Sequence, residues 1–356
     1  MEGALTVGPR RPSLASVDTV EPSSVDGPDQ DVGGGALVEG ADGRTKRLAQ
    51  VSTAAGLVIG LVTCAFVVRT LSSEWGRVRD ALSDASPAWI AVGFVLCALA
   101  MTSIGWVWTD VLALLGVRVD RVRALGWYYL GELGKYLPGG VWPVLGRGEL
   151  ARRGGVPGPR AYASVALSLV TLYLAAMMTA VGLLPFALGD DGPGAVTLVL
   201  LLLPLGLAAL HPAVLTPVLG LARRATRRPL ALDLPPWRRT IGVVIRYLPT
   251  WALVGGATSA VAYAVDPGAS LTRVAFAAVL SWIAGFLAVP VPAGAGVRET
   301  VFIAASGLSP ELGATVAVAT RVLFIVVDGG GAAIAAPLVR RRPAGRAARG
   351  EVIEPV

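Results

Sequence analysis

Two charged residues, Arg298 and Glu299, directly follow a proline- and glycine-rich stretch that interrupts an apolar segment, 274–307. The interrupting residues are Pro290, Pro292, Gly294 and Gly296. Broken backbone inside a membrane leaves N–H and C=O groups that lipid cannot satisfy, so it occurs only around a protein-lined or water-filled cavity. The next helix offers free N–H groups to an anion, and a guanidinium group binds phosphate through two hydrogen bonds. We therefore expect Arg298 to bind phosphate and Glu299 to bind a cationic or hydroxylated group. The alternative is that they only pair with each other.

The apolar segment 124–156 repeats this pattern. Its break consists of Pro138, Gly139 and Gly140. Arg147 and Glu149 follow the break, and Glu132 and Lys135 precede it. We expect the two cations to contact a ligand phosphate and the two carboxylates to contact a cationic or hydroxylated group. The alternatives are that Arg147 pairs with Glu149 and that Lys135 extends to the membrane surface. We call 124–156 the first broken segment and 274–307 the second.

A further cation and a further carboxylate, Arg321 and Asp328, lie within the last apolar segment. They are seven residues apart, which places them on one face of a helix. A charged residue at the centre of a membrane helix costs about 2.5–3.5 kcal/mol, so both should face the interior of the helix bundle. Each either forms an ion pair with another segment or lines a ligand pathway.

The sequence gives no support for metal or nucleotide chemistry. His211 is the only histidine, and Cys64 and Cys97 stand in separate apolar runs, so a usual zinc site is excluded. The run 146–151 matches a dinucleotide-binding pattern, but no strand precedes it. We expect no metal, no cofactor and no catalytic residue.

The elements that position these residues are membrane helices. Of 356 residues, 54% are apolar and only 15% are charged, whereas a soluble chain carries about 25% charged residues. Six apolar segments reach the length of about 20 residues that spans a bilayer. These predicted spans are 48–71, 88–115, 161–188, 194–219, 241–265 and 313–338. The fold class is therefore an all-α polytopic membrane protein.

Arginine placement predicts the orientation of the spans. Arginines collect in the connections 118–123, 223–239 and 340–342, after every second span. Cationic connections stay in the cytoplasm, so both termini are cytoplasmic. The first broken segment must then enter and leave the membrane on the cytoplasmic side, and the second must enter and leave it on the outside. Each is therefore a re-entrant hairpin, and the two hairpins are opposed. The arginines in these connections account for the net charge of +7, so the charge reflects membrane topology and no nucleic-acid partner is expected.

The order of spans and hairpins repeats once along the chain. Repeat one covers 48–188 and repeat two covers 194–338, in opposite orientation, within a membrane domain of 48–340. Inverted repeats with paired broken helices are typical of secondary transporters, whose binding site lies where the breaks meet. Residues 1–47 are polar and rich in proline, which predicts a disordered cytoplasmic tail, and 341–356 form a second cytoplasmic tail.

Both broken segments resemble the lysylphosphatidylglycerol synthase/flippase transmembrane family. Residues 134–140 with Arg147 and 152–156 resemble its first signature, and 289–299 resemble its second, while Arg321 matches an arginine usual in the last span. The resemblance covers 48–340. It implies an inner-membrane protein that handles polar lipids, as the flippase half of the two-domain synthases does for aminoacylated phosphatidylglycerol.

The two-domain members of that family carry an aminoacyl-transferase domain after the membrane part. This sequence ends soon after Arg349, so we expect no synthesis of lysylphosphatidylglycerol. The resemblance implies a flippase for a phospholipid or a polyprenyl-phosphate lipid in the cytoplasmic membrane. Two alternatives stay open, namely a membrane enzyme or accessory subunit acting on polyprenyl-phosphate-linked sugars, and a scaffold without activity. Candidate protein partners are a second copy of the chain and a lipid-modifying enzyme.

Overall fold

The computed structural model describes residues 85–136, 141–188, 236–288 and 296–341, with the single residues Gly76, Ser83 and Gly294. All of them belong to one compact unit, Leu57–Val356. Every regular element in these ranges is helical. The helices are α1 (Pro87–Leu114), α2 (Arg121–Glu132), a 3-10 helix (Leu133–Tyr136), α3 (Trp142–Arg153), α4 (Gly158–Leu188), α5 (Trp237–Val265), α6 (Leu271–Leu287), α7 (Val297–Ser306) and α8 (Pro310–Arg341).

Four of these helices, α1, α4, α5 and α8, are long and apolar enough to cross a membrane. The shortest of the four has 28 residues, or about 42 Å at 1.5 Å per residue, against a hydrocarbon core of about 30 Å. They coincide with the predicted spans 88–115, 161–188, 241–265 and 313–338, and so confirm those four. The predicted spans 48–71 and 194–219 and both predicted tails, except for the residue at 341, lie outside the described residues.

Each broken segment forms two helices in contact, as the sequence predicts. Helix α2 packs on α3, and α6 packs on α7. The backbones approach closely at glycine: a Cβ on Gly131 would lie 2.9 Å from the Arg147 nitrogen, and one on Gly294 would lie 2.6 Å from the Gly285 Cα. Gly296, the residue that caps α7, has a φ of 82°, a conformation that favours glycine. The remaining proline and glycine residues of the two breaks lie outside the described residues; they are Pro138, Gly139, Gly140, Pro290 and Pro292.

The long helices pack around large, fully buried side chains. Trp108, Tyr247 and Trp251 are each at most 2% exposed. Their polar atoms have partners: the Trp251 indole donates to the Leu172 carbonyl at 2.7 Å, and the Tyr247 and Ser168 hydroxyls are 2.8 Å apart. These hydrogen bonds join α4 to α5, and lipid tails could not provide hydrogen-bond partners in their place.

Helix contacts in 85–188 have counterparts in 236–341. Helix α2 packs on α8, and α6 packs on α4; α3 packs on α4, and α7 packs on α8. In the same way α1 contacts α2 and α5 contacts α6, while α1 and α5 pack on each other. Exchanging α1–α4 for α5–α8 therefore reproduces the set of contacts.

Candidate functional site

Five side chains from the first broken segment and α8 form a buried ionic group, which we call the Glu132 cluster. Its members are Glu132, Lys135, Tyr136, Arg147 and Asp328. Arg147 donates to Glu132, and the Lys135 Nζ lies 3.5 Å from Glu132 Oε2 and 2.6 Å from Asp328 Oδ2. The Tyr136 hydroxyl donates to Asp328 Oδ2 at 2.7 Å. Two cations thus balance two carboxylates, and the cluster has no net charge.

The Glu132 cluster is enclosed by protein. Arg147 is 2% exposed and Asp328 is 0% exposed. The Arg147 guanidinium lies 5.4 Å from the Trp108 ring centre and 4.9 Å from that of Tyr128, distances that allow cation–π attraction. Within the described ranges, Arg147 Nε and Nη1 and Asp328 Oδ1 have no hydrogen-bond partner. Helices α2, α3 and α8 are therefore joined by ion pairs whose loss would leave buried charge.

A second polar site lies between α5, α6, α7 and α8, and we call it the Arg298 cavity. Its polar lining consists of Thr258, Ser281, Arg298, Glu299, Thr320 and Arg321, and Trp282 and Phe302 add aromatic surface. The Arg298 guanidinium lies over the Trp282 ring, 3.9 Å from its centre. Among the described residues, no carboxylate forms a salt bridge with Arg298. Its cationic group therefore faces the cavity without a salt-bridge partner from this part of the chain.

Glu299 forms no salt bridge with the adjacent Arg298, and both of its carboxylate oxygens accept hydrogen bonds from other donors. Arg321 Nη1 donates to Glu299 Oε1 at 2.6 Å. The Gly296 N–H donates to Glu299 Oε2, also at 2.6 Å. The second contact is a helix-capping interaction, with the third residue of α7 satisfying the N–H of the cap residue. Two guanidinium groups and one carboxylate leave the cavity with one net positive charge.

The hydroxyl groups of the cavity retain hydrogen-bonding capacity. Ser281 and Thr258 donate to the carbonyls of Ala278 and Val254, at 2.7 and 3.1 Å, which leaves their oxygen lone pairs as acceptors. Thr320 is 6% exposed, and its hydroxyl has no partner among the described residues. A buried hydroxyl without a partner is costly, so a ligand that bonds to it would remove that cost.

Glu149 lies apart from both sites. It accepts from the half-exposed or exposed side chains of Arg152 and Arg153, at 2.7 and 2.8 Å, and from the Tyr162 hydroxyl. The Arg152 guanidinium is the main reason that the pKa of Glu149 falls to about 2. The expected alternative pair of Arg147 with Glu149 is not formed, since Arg147 pairs with Glu132. The ligand role expected for Glu149 stays a prediction; among the described residues, Glu149 forms no ion pair with the other predicted site residues.

Apart from Glu149, the predicted charged residues divide into two groups. Glu132, Lys135, Arg147 and Asp328 meet in one cluster, and Arg298, Glu299 and Arg321 meet in one cavity. Lys135 pairs with Asp328 instead of extending to the membrane surface. Sequence reasoning missed Trp282, Thr320 and Tyr136. Trp282 stands in an apolar run and has no charged neighbour in the sequence, and Thr320 also stands in an apolar run. Tyr136 is adjacent to Lys135 and could have been included.

A metal would need a group of three ligands. Among the described residues, histidine, cysteine, aspartate and glutamate do not form such a group.

Four apolar helices of spanning length, packed around buried ionic groups, define a multi-pass membrane protein. The family model described as the lysylphosphatidylglycerol synthase TM region matches residues 53–329, and the chain belongs to this family. The match includes both broken segments and reaches past Asp328, so it confirms the resemblance found in the sequence. The family is consistent with a membrane role related to lipids. No curated protein matches the chain.

Proposed function

We propose that the protein translocates a polar or phosphate-bearing lipid across the cytoplasmic membrane. One observation carries this proposal: the Arg298 guanidinium faces the Arg298 cavity, with no carboxylate paired to it among the described residues. A charge at membrane depth costs about 2.5–3.5 kcal/mol on insertion scales. A bound phosphate would offset that cost, since a guanidinium group binds phosphate in a bidentate way.

The architecture in the proposal has two inverted repeats, each with a re-entrant hairpin. The matching helix contacts of 85–188 and 236–341 support the repeat. Close glycine contacts between the two helices of each broken segment support the hairpins, because they let a chain fold back on itself within a short distance. Arginine-rich connections support cytoplasmic termini. In this arrangement the lipid tails stay in the bilayer while the headgroup enters the cavity.

Transport is favoured over catalysis by the state of the carboxylates. A general acid or base needs a carboxyl group that is free to exchange a proton with substrate. Glu132 and Asp328 are held by Lys135, Arg147 and Tyr136, and Glu299 is held by Arg321 and the Gly296 N–H. These carboxylates are engaged in structural pairs, which suits a binding protein better than an enzyme.

Reconstitution of the purified protein into vesicles tests this proposal. The vesicles contain phosphatidylglycerol with a fluorescent acyl chain, and a membrane-impermeant reductant bleaches only the outer leaflet. We expect the protein to make the inner-leaflet lipid accessible to the reductant, with no change in lipid mass. Protein-free vesicles give the background rate. Chemical conversion of a polyprenyl-phosphate-linked sugar without lipid movement would favour the membrane enzyme instead.

A further inference from the structure

We propose that Trp282 is a positioning residue for lipid binding, whose ring holds the Arg298 guanidinium at the Arg298 cavity without neutralising its charge. The inference rests on the proposed function, since it takes Arg298 as the group that binds the lipid phosphate. It assigns a role in binding to an uncharged side chain that acts through Arg298.

Two neighbouring positions of α6 hold the Arg298 side chain. The guanidinium carbon lies 3.9 Å from the centre of the Trp282 ring, and a Cβ on Gly285 would lie 2.6 Å from the Arg298 Cδ. Trp282 and Gly285 are three residues apart, so they are neighbours on one face of the helix. The aliphatic part of Arg298 therefore occupies the space that a side chain at Gly285 would fill, and its charged end lies over the ring.

The Trp282 ring is itself held by two other rings. Trp251 of α5 meets it at 78° with the ring centres 6.0 Å apart, and Phe324 of α8 meets it at 69° with the centres 5.2 Å apart. Aromatic pairs prefer such edge-to-face arrangements. Trp251 is 2% exposed and Phe324 is 3% exposed. Because both partners are buried, the Trp282 ring offers Arg298 a surface of fixed orientation.

An aromatic ring stabilises a cation without cancelling its charge. Lys135 shows the contrast, because its Nζ lies 5.7 Å from the centre of the same ring but also pairs with Glu132 and Asp328. Among the described residues, no carboxylate forms a salt bridge with Arg298. The ring face attracts the guanidinium through its quadrupole and has no net charge. Trp282 therefore offsets part of the cost of placing Arg298 at membrane depth and leaves its charge available to an anion.

Fluorinated tryptophans incorporated at position 282 alone test this role. Fluorine withdraws electron density from the ring face and changes the size of the ring little, so it weakens cation–π attraction while the packing stays the same. The measurement is the binding of dioleoyl phosphatidylglycerol in detergent, by native mass spectrometry. We expect the affinity to fall stepwise as ring fluorines are added, with no change in the unfolding temperature.

Two substitutions of comparable size add a second test. Trp282→Phe keeps an aromatic face and should lower the affinity several-fold, whereas Trp282→Leu removes the face and should lower it at least tenfold. Trp106→Leu is the matched control, because Trp106 is 44% exposed and has the Arg121 guanidinium 4.5 Å from its ring centre, on α1 and outside the cavity lining. It should bind phosphatidylglycerol like wild type, and so should the fluorine series at position 106.

A lipid-free measurement separates this inference from the proposed function. The fluorine NMR resonance of a monofluorinated tryptophan at position 282 should shift in Arg298→Gln and stay in place in Arg153→Gln, where the exchanged arginine is 63% exposed. An unshifted resonance in Arg298→Gln would overturn the inference, as would equal affinities across the fluorine series or equal losses in Trp282→Phe and Trp282→Leu. A shifted resonance in a protein that neither binds nor moves phosphatidylglycerol would contradict only the proposed function.

Discussion

Arg321 and Asp328 lie on the same helix, α8, and each forms an ion pair with a different broken segment. Arg321 Nη1 is 2.6 Å from Glu299 Oε1 in the second segment, and Asp328 Oδ2 is 2.6 Å from Lys135 Nζ in the first. The seven-residue spacing places both on one face, two turns apart. Helix α8 is therefore a common anchor for the two broken segments.

Removal of the Asp328 charge should destabilise the protein. Asp328 is 0% exposed, and Asp328→Asn leaves Lys135 with only the more distant Glu132. Breaking a buried ion pair on one side costs about 3–5 kcal/mol, so we expect a clear fall in the thermal unfolding temperature in detergent. The double exchange Lys135→Met with Asp328→Asn should recover part of the loss, because no orphan charge remains.

Asp110→Asn is the matched control for that measurement. Asp110 pairs with Arg246 at 2.9 Å, but Arg246 is 62% exposed. Exposed pairs contribute about 0–1 kcal/mol. An Asp110→Asn protein that loses as much stability as Asp328→Asn would contradict the structural importance given to the Glu132 cluster.

Gly285→Ala should impair lipid binding through Arg298. A Cβ at Gly285 would collide with the Arg298 Cγ and would lie 2.6 Å from its Cδ. Because the Arg298 side chain is flexible, it should leave its place over Trp282 while the helix stays intact. We expect phosphatidylglycerol binding to fall at least tenfold with little change in unfolding temperature.

The control for Gly285→Ala is Gly242→Ala in α5, where an added Cβ meets nothing within 4 Å. It makes the same chemical change in a membrane helix. Loss of binding in both variants, or in neither, would show that the close approach of Gly285 to Arg298 has no role.

Glu149 and Glu299 should respond differently to exchange for glutamine. Since its pKa is lowered to about 2, Glu149 stays ionised between pH 5 and pH 8, so it adds no pH dependence there. Glu149→Gln should leave lipid movement and its pH profile unchanged. Glu299→Gln should lower the unfolding temperature, because Arg321 loses its partner and the start of α7 loses a charged acceptor. A shifted pH profile in Glu149→Gln would place that residue in the transport path.

The four described spans could be predicted from the sequence because apolar runs of sufficient length leave few alternatives in a 356-residue chain with 15% charged residues. The inward orientation expected for Arg321 and Asp328 also follows from the cost of exposing charge to lipid. Their partners could not be predicted. Neighbours in sequence suggested Arg147 with Glu149 and Arg298 with Glu299, whereas folding joins Arg147 to Glu132 and Glu299 to Arg321.

The ion-pair partners could not be predicted from the sequence for a geometric reason. Residues one or two positions apart on a helix point in different directions, so adjacent charges rarely face each other. Partners came from packed helices, α2 against α3 and α7 against α8, and that packing depends on contacts far apart in the chain. Trp282 was missed because an aromatic residue in an apolar helix looks like any other core residue until Arg298 is placed over it.

The proposed topology predicts that both termini are cytoplasmic. A reporter that is active only in the periplasm, fused after Val356, should be inactive, and a cytoplasmic reporter at the same position should be active. A second pair of fusions after Ala269, in the connection between α5 and α6, should give the opposite result. Equal readings at the two positions would contradict the arrangement of spans.

Lipid movement by the Arg298 variants tests the central claim most directly. In vesicles with fluorescent phosphatidylglycerol, Arg298→Gln should fall to the rate of protein-free vesicles, and Arg298→Lys should keep a small part of the activity. Arg153→Gln should match wild type, with all proteins inserted in equal amounts. Wild-type lipid movement by Arg298→Gln would contradict the claim that its guanidinium binds the lipid phosphate.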